Sequence, residues 1–192
     1  AAQRRLGAAL VAAGRAAEAV PLFAAAHEQL AKADVNPAAA AAWLEWVEAM
    51  LAAEDPSVAK VLAAQTDAAT FAEGLRRLTD RLAALDAAKK WPALVSLASA
   101  AARDLPSRLD AAQRQAIAKT LADAQARLTA ADRQRVAELV GQLAGGAEAA
   151  QQAAAAQLQA MGDRAVKPLV AELRALAVAE KPNLPAETAI VA

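Results

Sequence analysis

One residue in three of this chain is alanine, and that share limits what the chain can build. Alanine is the strongest helix former, because it loses no side-chain entropy on ordering. It also brings little apolar area: at roughly 25 cal/mol per Å² buried, an alanine stabilises a core far less than a leucine does. Apolar residues fill 57% of the 192 positions, yet a core made of them depends on helices approaching closely over many contacts. Stacked antiparallel helix pairs offer that geometry. Tyr is absent, Phe occurs twice, and no alternating run of β-branched or aromatic residues reads as a strand. The chain is therefore expected to be all-α.

The 21 basic and 21 acidic residues cancel and interleave, which predicts no field steering the chain to nucleic acid or an anionic membrane. With no cysteine, disulfides and thiolate metal sites are excluded and the redox compartment is left unmarked. No apolar run reaches the ~20 residues of a membrane span, and no stretch reads as a signal peptide. A soluble, cytoplasmic setting is expected over a periplasmic one. Alanine and arginine richness fits a GC-rich bacterial genome. Both ends read as cuts in a longer array: Ala1 stands about where a helix begins, and Pro185-Ala186-Glu187 opens a helix that stops at Ala192.

Helices are expected over 2–13 and 16–33, turned at Gly14-Arg15 with Gly14 in the left-handed closing position. Pro21 is placed near the first turn of the second helix, where N–H groups have few partners anyway. Asn36-Pro37 is a restart, an N-cap side chain followed by proline. The helix over 37–53 carries Trp43, Trp46 and Met50 on one stripe and Leu44, Val47 and Leu51 on the next, too wide a face for a helix covering one neighbour. Asp55-Pro56 repeats the restart and opens a short helix to about 65. Over 68–87, Phe71, Leu75, Leu78, Leu82 and Leu85 form an apolar stripe, with Glu73–Arg77 and Arg76–Asp80 as i,i+4 pairs opposite. Trp91-Pro92 opens the helix over 92–104, and Pro106 follows it. Residues 110–127 begin with the capping-box spacing Asp110-x-x-Gln113. Residues 130–144 follow Thr129 and end at Gly145-Gly146, the sharpest break in the chain, which divides it into domains 1–144 and 147–192. Beyond it, Gly162 ends a helix and Asp163 caps another, whose Val166, Leu169, Val170, Leu173 and Leu176 recur at helical spacing. About eleven helices result.

The opening spacing of Leu6-Gly7, Leu10, Gly14, Ala19, Phe23 and Ala26 resembles a tetratricopeptide repeat. The resemblance covers 1–34 well and 35–106 loosely: Trp43, Trp46, Met50, Ala59, Trp91 and Pro106 fit, but Ala63 stands where a large residue is expected. Residues 147–180, with Leu158, Gly162-Asp163, Ala165-Val166, Pro168-Leu169 and Leu173, are similar to a HEAT-like repeat. Residues 107–146 resemble neither. A single unit of either kind cannot bury its own apolar face, so the resemblance implies an α-solenoid of stacked antiparallel pairs. It further implies a non-enzymatic protein–protein interaction scaffold, part of a larger protein or assembly, holding a partner helix or extended segment in the groove of successive first helices. By analogy, Arg4, Ala8 and Val11 face that groove in the first unit, and Leu44, Glu48 and Leu51 in the second. The expected partner is a protein or peptide, with no nucleic acid, cofactor or small-molecule ligand. The alternatives are a helical accessory domain of a multidomain enzyme and a HEAT-like nucleic-acid-binding array.

No Ser/His/Asp set, Gly-rich phosphate loop or histidine–carboxylate metal spacing occurs. His27, the single histidine, has only Glu18 and Glu28 near it in sequence and reads as a half-buried packing residue. Trp43, Trp46 and Trp91 read as fillers of volume that alanine leaves empty rather than as partner anchors. Arg76, Arg77, Arg81, Lys89 and Lys90 are the densest basic group; Glu73, Asp80 and Asp86 lie among them, so a self-paired solvated face is expected. The peptide-carboxylate clamp of some tetratricopeptide proteins is unsupported, since Arg4 is its one candidate and Ala8 stands where an amide would help.

Overall fold

The structure, a computed structural model, describes residues 2–33 and 36–179. Among the described residues all regular structure is helical: α1 (Ala2–Ala12), α2 (Ala16–Lys32), α3 (Asn36–Ala52), α4 (Val58–Ala64), α5 (Ala68–Ala87), α6 (Trp91–Asp104), α7 (Ala111–Gly145), α8 (Glu148–Met161) and α9 (Asp163–Ala179). Nine helices thus stand there, against the eleven or so expected. Two expected helices, 110–127 and 130–144, are one continuous α7, because Leu128, Thr129, Ala130, Ala131 and Asp132 include no glycine or proline to interrupt it. The helix expected from Pro185 and the N-cap side chain of Asn36 lie outside the described residues. By compactness the chain divides into two units, Ala1–Gln125 and Ala126–Ala192.

In the first unit the pairs α1–α2, α3–α4 and α5–α6 are each turned by one residue in left-handed conformation: Gly14 (φ 75°), Glu54 (φ 58°) and Lys89 (φ 56°). The hydrogen bonds around these residues repeat. Gly14 N–H donates to Val11 O and Arg15 N–H to Leu10 O. Glu54 N–H donates to Leu51 O and Asp55 N–H to Met50 O. Lys89 N–H donates to Asp86 O and Lys90 N–H to Leu85 O. This is the Schellman closure, which satisfies carbonyls that the helix end leaves open. Only the first copy carries the glycine that the conformation favours, so the repetition is nearly invisible in the letters. Consecutive helices pack from α1 through α6, and alternate helices also touch: α1 with α3, α3 with α5, and α4 with α6.

Large side chains sit against bare backbone where these helices meet. A Cβ added to Gly7 would stand 2.8 Å from the Phe23 ring, and one added to Gly74 would stand 2.6 Å from Leu62 Cδ2 and 2.8 Å from Trp43 Cη2. Trp43, Val47, Met50 and Leu51 of α3 join Leu62, Leu75, Leu78, Leu82, Leu94 and Leu97 in one core, to which α7 adds Ile117 and Ala124. The wide apolar face of α3 is thereby explained: α3 packs on α1, α2, α4 and α5. Arg108, between α6 and α7, donates to Ala63 O at the end of α4 and lies over the Phe71 ring at 4.4 Å. The capping box forms as expected, with Gln113 N–H on Asp110 Oδ1 (2.8 Å) and Asp110 N–H on Gln113 Oε1 (3.0 Å). Pro21 is the sixth residue of α2 and not in its first turn, so Ala17 O lacks the bond an N–H there would supply.

The second unit holds the remainder of α7 with α8 and α9. Val136 and Leu139 of α7, Ala154 of α8 and Ala165 of α9 are buried, and buried Asp132 pairs with Arg164, whose Nε lies 3.1 Å from its Oδ2. Gly162 (φ 55°) ends α8, and Asp163 is the first residue of α9, where its charge suits the helix N-terminus. Val166, Val170 and Leu173 stay 42–54% exposed.

These seats give opposite expectations for two glycines. Gly74→Ala gains about 1 kcal/mol of helix propensity but meets Leu62 and Trp43, an overpacking cost of roughly 1–3 kcal/mol, and so lowers the urea midpoint. Gly141→Ala in α7, with nothing within 4 Å, raises stability by about 0.5–1 kcal/mol. The same direction for both substitutions would refute the seating.

Candidate functional site

The alternate helices α1, α3 and α5 are tied side by side by charged groups at their edges. Arg4 of α1 grips the Glu45 carboxylate of α3 with two guanidinium nitrogens, Nε at 2.7 Å. Glu48, one turn further along α3, pairs with Arg77 of α5. Arg77 also donates to Glu73 (3.0 Å), which accepts from Arg76, and Arg76 donates to Asp80 (2.6 Å). Glu54, at the left-handed turn after α3, accepts from Arg81 (3.2 Å) and Lys90 (3.0 Å). Both i,i+4 pairs expected within α5 are present, and four of the five clustered cations, Arg76, Arg77 and Arg81 of α5 and Lys90 just before α6, are matched by carboxylates. The pairings of Glu48 with Arg77 and of Glu54 with Arg81 and Lys90 escaped sequence reading because the partners lie far along the chain.

Beside this charged ridge runs a groove between α5 and the start of α7, with a volume of about 580 Å³. Buried Leu75, Leu82 and Ile117 form its floor with Ala72, Ala83 and Ala116, and Arg76, Thr79, Asp80, Asp86, Gln113 and Thr120 form its polar rim. A shallower recess of about 330 Å³ lies on the other flank of α5, lined by Glu48, Leu51, Ala52, Arg76, Arg77, Asp80 and Arg81. Arg76 and Asp80 border both. Volumes of this size suit a small number of apolar side chains held by a few polar contacts.

The six residues expected to face a groove fall in different settings. Glu48 and Leu51 line the recess, although Leu51 is only 4% exposed. Leu44 is half-buried against the main core, and its carbonyl accepts from Arg77. Val11 packs on the small cluster around Ala19, Phe23 and Ala49. Ala8 is exposed, and Arg4 is committed to Glu45. The α5–α7 groove was not anticipated, because residues 107–146 carry no repeat spacing that would align α7 with the helices before it.

His27 is half-buried and 6.1 Å from Trp46 between ring centroids, with Nδ1 3.1 Å from Ala39 O. Trp43 is buried; Trp46 and Trp91 are half-buried, each with an enclosed indole N–H that finds no acceptor among the described residues. No three His, Asp or Glu side chains among the described residues are grouped to hold a metal, and no helix among them is long and apolar enough to cross a membrane. The chain matches no protein-family model, no curated protein and no solved structure.

Glu73 is the most perturbed carboxylate of the ridge, held at about 2 against an ordinary 4.5 by hydrogen bonds from Arg76 and then Arg77. A depressed carboxylate favours the folded state above its ordinary value, and that contribution is lost as pH falls toward the folded value. The urea midpoint is therefore expected to fall between pH 4.5 and 2, with Glu73→Gln flattening part of that slope and added salt weakening the effect. Identical pH profiles for the two proteins would show that Glu73 does not anchor the ridge.

Proposed function

We propose that this chain is a non-enzymatic scaffold that binds a protein or peptide partner, and that its first unit is a short tetratricopeptide-like solenoid followed by a HEAT-like unit. What carries the reading is the repetition in the first unit: three helix pairs with the same left-handed closure, and contacts between α1 and α3, α3 and α5, and α4 and α6. Repeats stacked in this way place equivalent helices on one face and gather their binding surface there.

The partner segment occupies the α5–α7 groove. Leu75 and Leu82 lie two turns apart on α5, about 10.5 Å along the helix, which suits the apolar stripe of a short amphipathic helix. The neighbouring ridge is internally paired, so recognition rests on apolar insertion more than on net charge. Isolated surface pairs of this kind add roughly 0–1 kcal/mol, whereas burying one leucine or phenylalanine in the groove contributes about 1.5–3 kcal/mol.

Ala83 and Ala116 face the groove from opposite sides and are exposed, so Ala83→Arg with Ala116→Arg fills it without disturbing the core. Peptides selected from a random displayed library against the wild-type chain are expected to bind the double variant about tenfold or more weakly, a change of about 1.4 kcal/mol or more. Equal binding to both proteins, or no enriched peptide, would contradict the assignment.

A further inference from the structure

A second cavity, of about 500 Å³, lies among α2, α3 and α4, away from the α5–α7 groove. It is lined by His27, Trp43, Trp46, Lys60, Val61, Ala64, Gln65 and Thr66. Two of the chain's three tryptophans and its single histidine line this one space, in a sequence whose aromatic residues make up only 3%. Trp46 and His27 lie with rings inclined by 31° and centroids 6.1 Å apart, which offers a planar guest an aromatic wall.

The polar groups bordering this cavity are under-used by the protein. The carbonyl of Ala39 can only accept, so the contact from His27 Nδ1 fixes the hydrogen there; in the neutral ring Nε2 is then an acceptor. Trp46 Nε1 is enclosed and donates to no group among the described residues, so the indole offers the cavity its ring carbons rather than a donor. The Lys60 ammonium, on the exposed face of α4, bonds no carboxylate among the described residues. Asp104 is within its electrostatic reach but is itself held by Arg103 at 2.9 Å. A cation and a spare acceptor thus border a space walled by aromatic rings. Neutral apolar ligands leave both unsatisfied, and a simple anion gains nothing from the rings.

We infer that this cavity binds a planar aromatic carboxylate, its ring against Trp46 and His27, its carboxylate toward Lys60, and a ring hydroxyl or N–H donated to His27 Nε2. The site does not depend on the peptide-binding reading, since it shares no lining residue with the α5–α7 groove.

Titration calorimetry with 6-hydroxy-2-naphthoate on the intact chain tests it. Saturable one-to-one binding is expected, weakened about tenfold by Lys60→Gln, a change of about 1.4 kcal/mol. Lys60 is exposed and outside the core, so this variant keeps its fold, which far-UV circular dichroism checks. Trp46→Leu keeps apolar volume and removes the aromatic wall, and is also expected to weaken binding. 2-Naphthol, which lacks the carboxylate, is expected to bind the wild type as weakly as the acid binds Lys60→Gln. Absence of saturable binding in the millimolar range would overturn the assignment. So would binding insensitive to Lys60→Gln, or 2-naphthol binding as tightly as the acid.

Discussion

The contact on which the first unit most depends is the seat of Trp43 on Gly74. Helices made largely of alanine carry too little apolar area to hold one another unless they come close, and closeness fails wherever two large side chains meet. The chain resolves this by pairing a large group with an absent one. Phe23 lies over Gly7 within the first helix pair, and Trp43 lies with Leu62 over Gly74 where the second pair meets the third. The second seat matters more, because Trp43 belongs to α3, the helix that touches α1, α2, α4 and α5. It fixes the separation of α3 and α5, and hence the reach that lets Glu48 meet Arg77 and Glu54 meet Arg81.

That spacing also sets the ridge from which the proposed function is argued. Turns of one conformation at Gly14, Glu54 and Lys89 return the chain in the same sense each time, so α1, α3 and α5 come to lie edge to edge. Their ridge is laced by ion pairs, partly buried or exposed, that satisfy one another and leave little net charge. The unfilled surface lies further along, between α5 and α7, where Leu75, Leu82 and Ile117 line a groove with three alanines and a polar rim. On the proposed reading, a partner is held by shape and apolar burial, with the polar rim setting register.

Much of this was legible in the letters. The helix starts at Asp110-Gln113 and Trp91-Pro92, the closure at Gly14, the apolar stripe of α5 and the breadth of α3 all follow from capping chemistry and helical periodicity. What was missed was non-local. Glu54 and Lys89 adopt a conformation that glycine favours, and their side chains give no sign of it, so the repeat of the turn was hidden. The break placed at Thr129 had no breaker behind it, and α7 runs through. Arg4 reads as a groove residue by analogy, but a carboxylate 41 residues away claims it. The cavity beside His27 combines residues from three helices, and no spacing in the sequence announces that they meet.

The central claim, that the helix pairs are held in register by Trp43 on Gly74, is tested most directly by nuclear Overhauser spectroscopy of the labelled chain. Strong cross-peaks are predicted from the Trp43 ring protons at Cη2 and Cζ3 to the Gly74 α-protons, and from the Gly74 α-protons to a Leu62 δ-methyl. Trp43 ring protons that show contacts only within α3, or only to α2, would contradict the account.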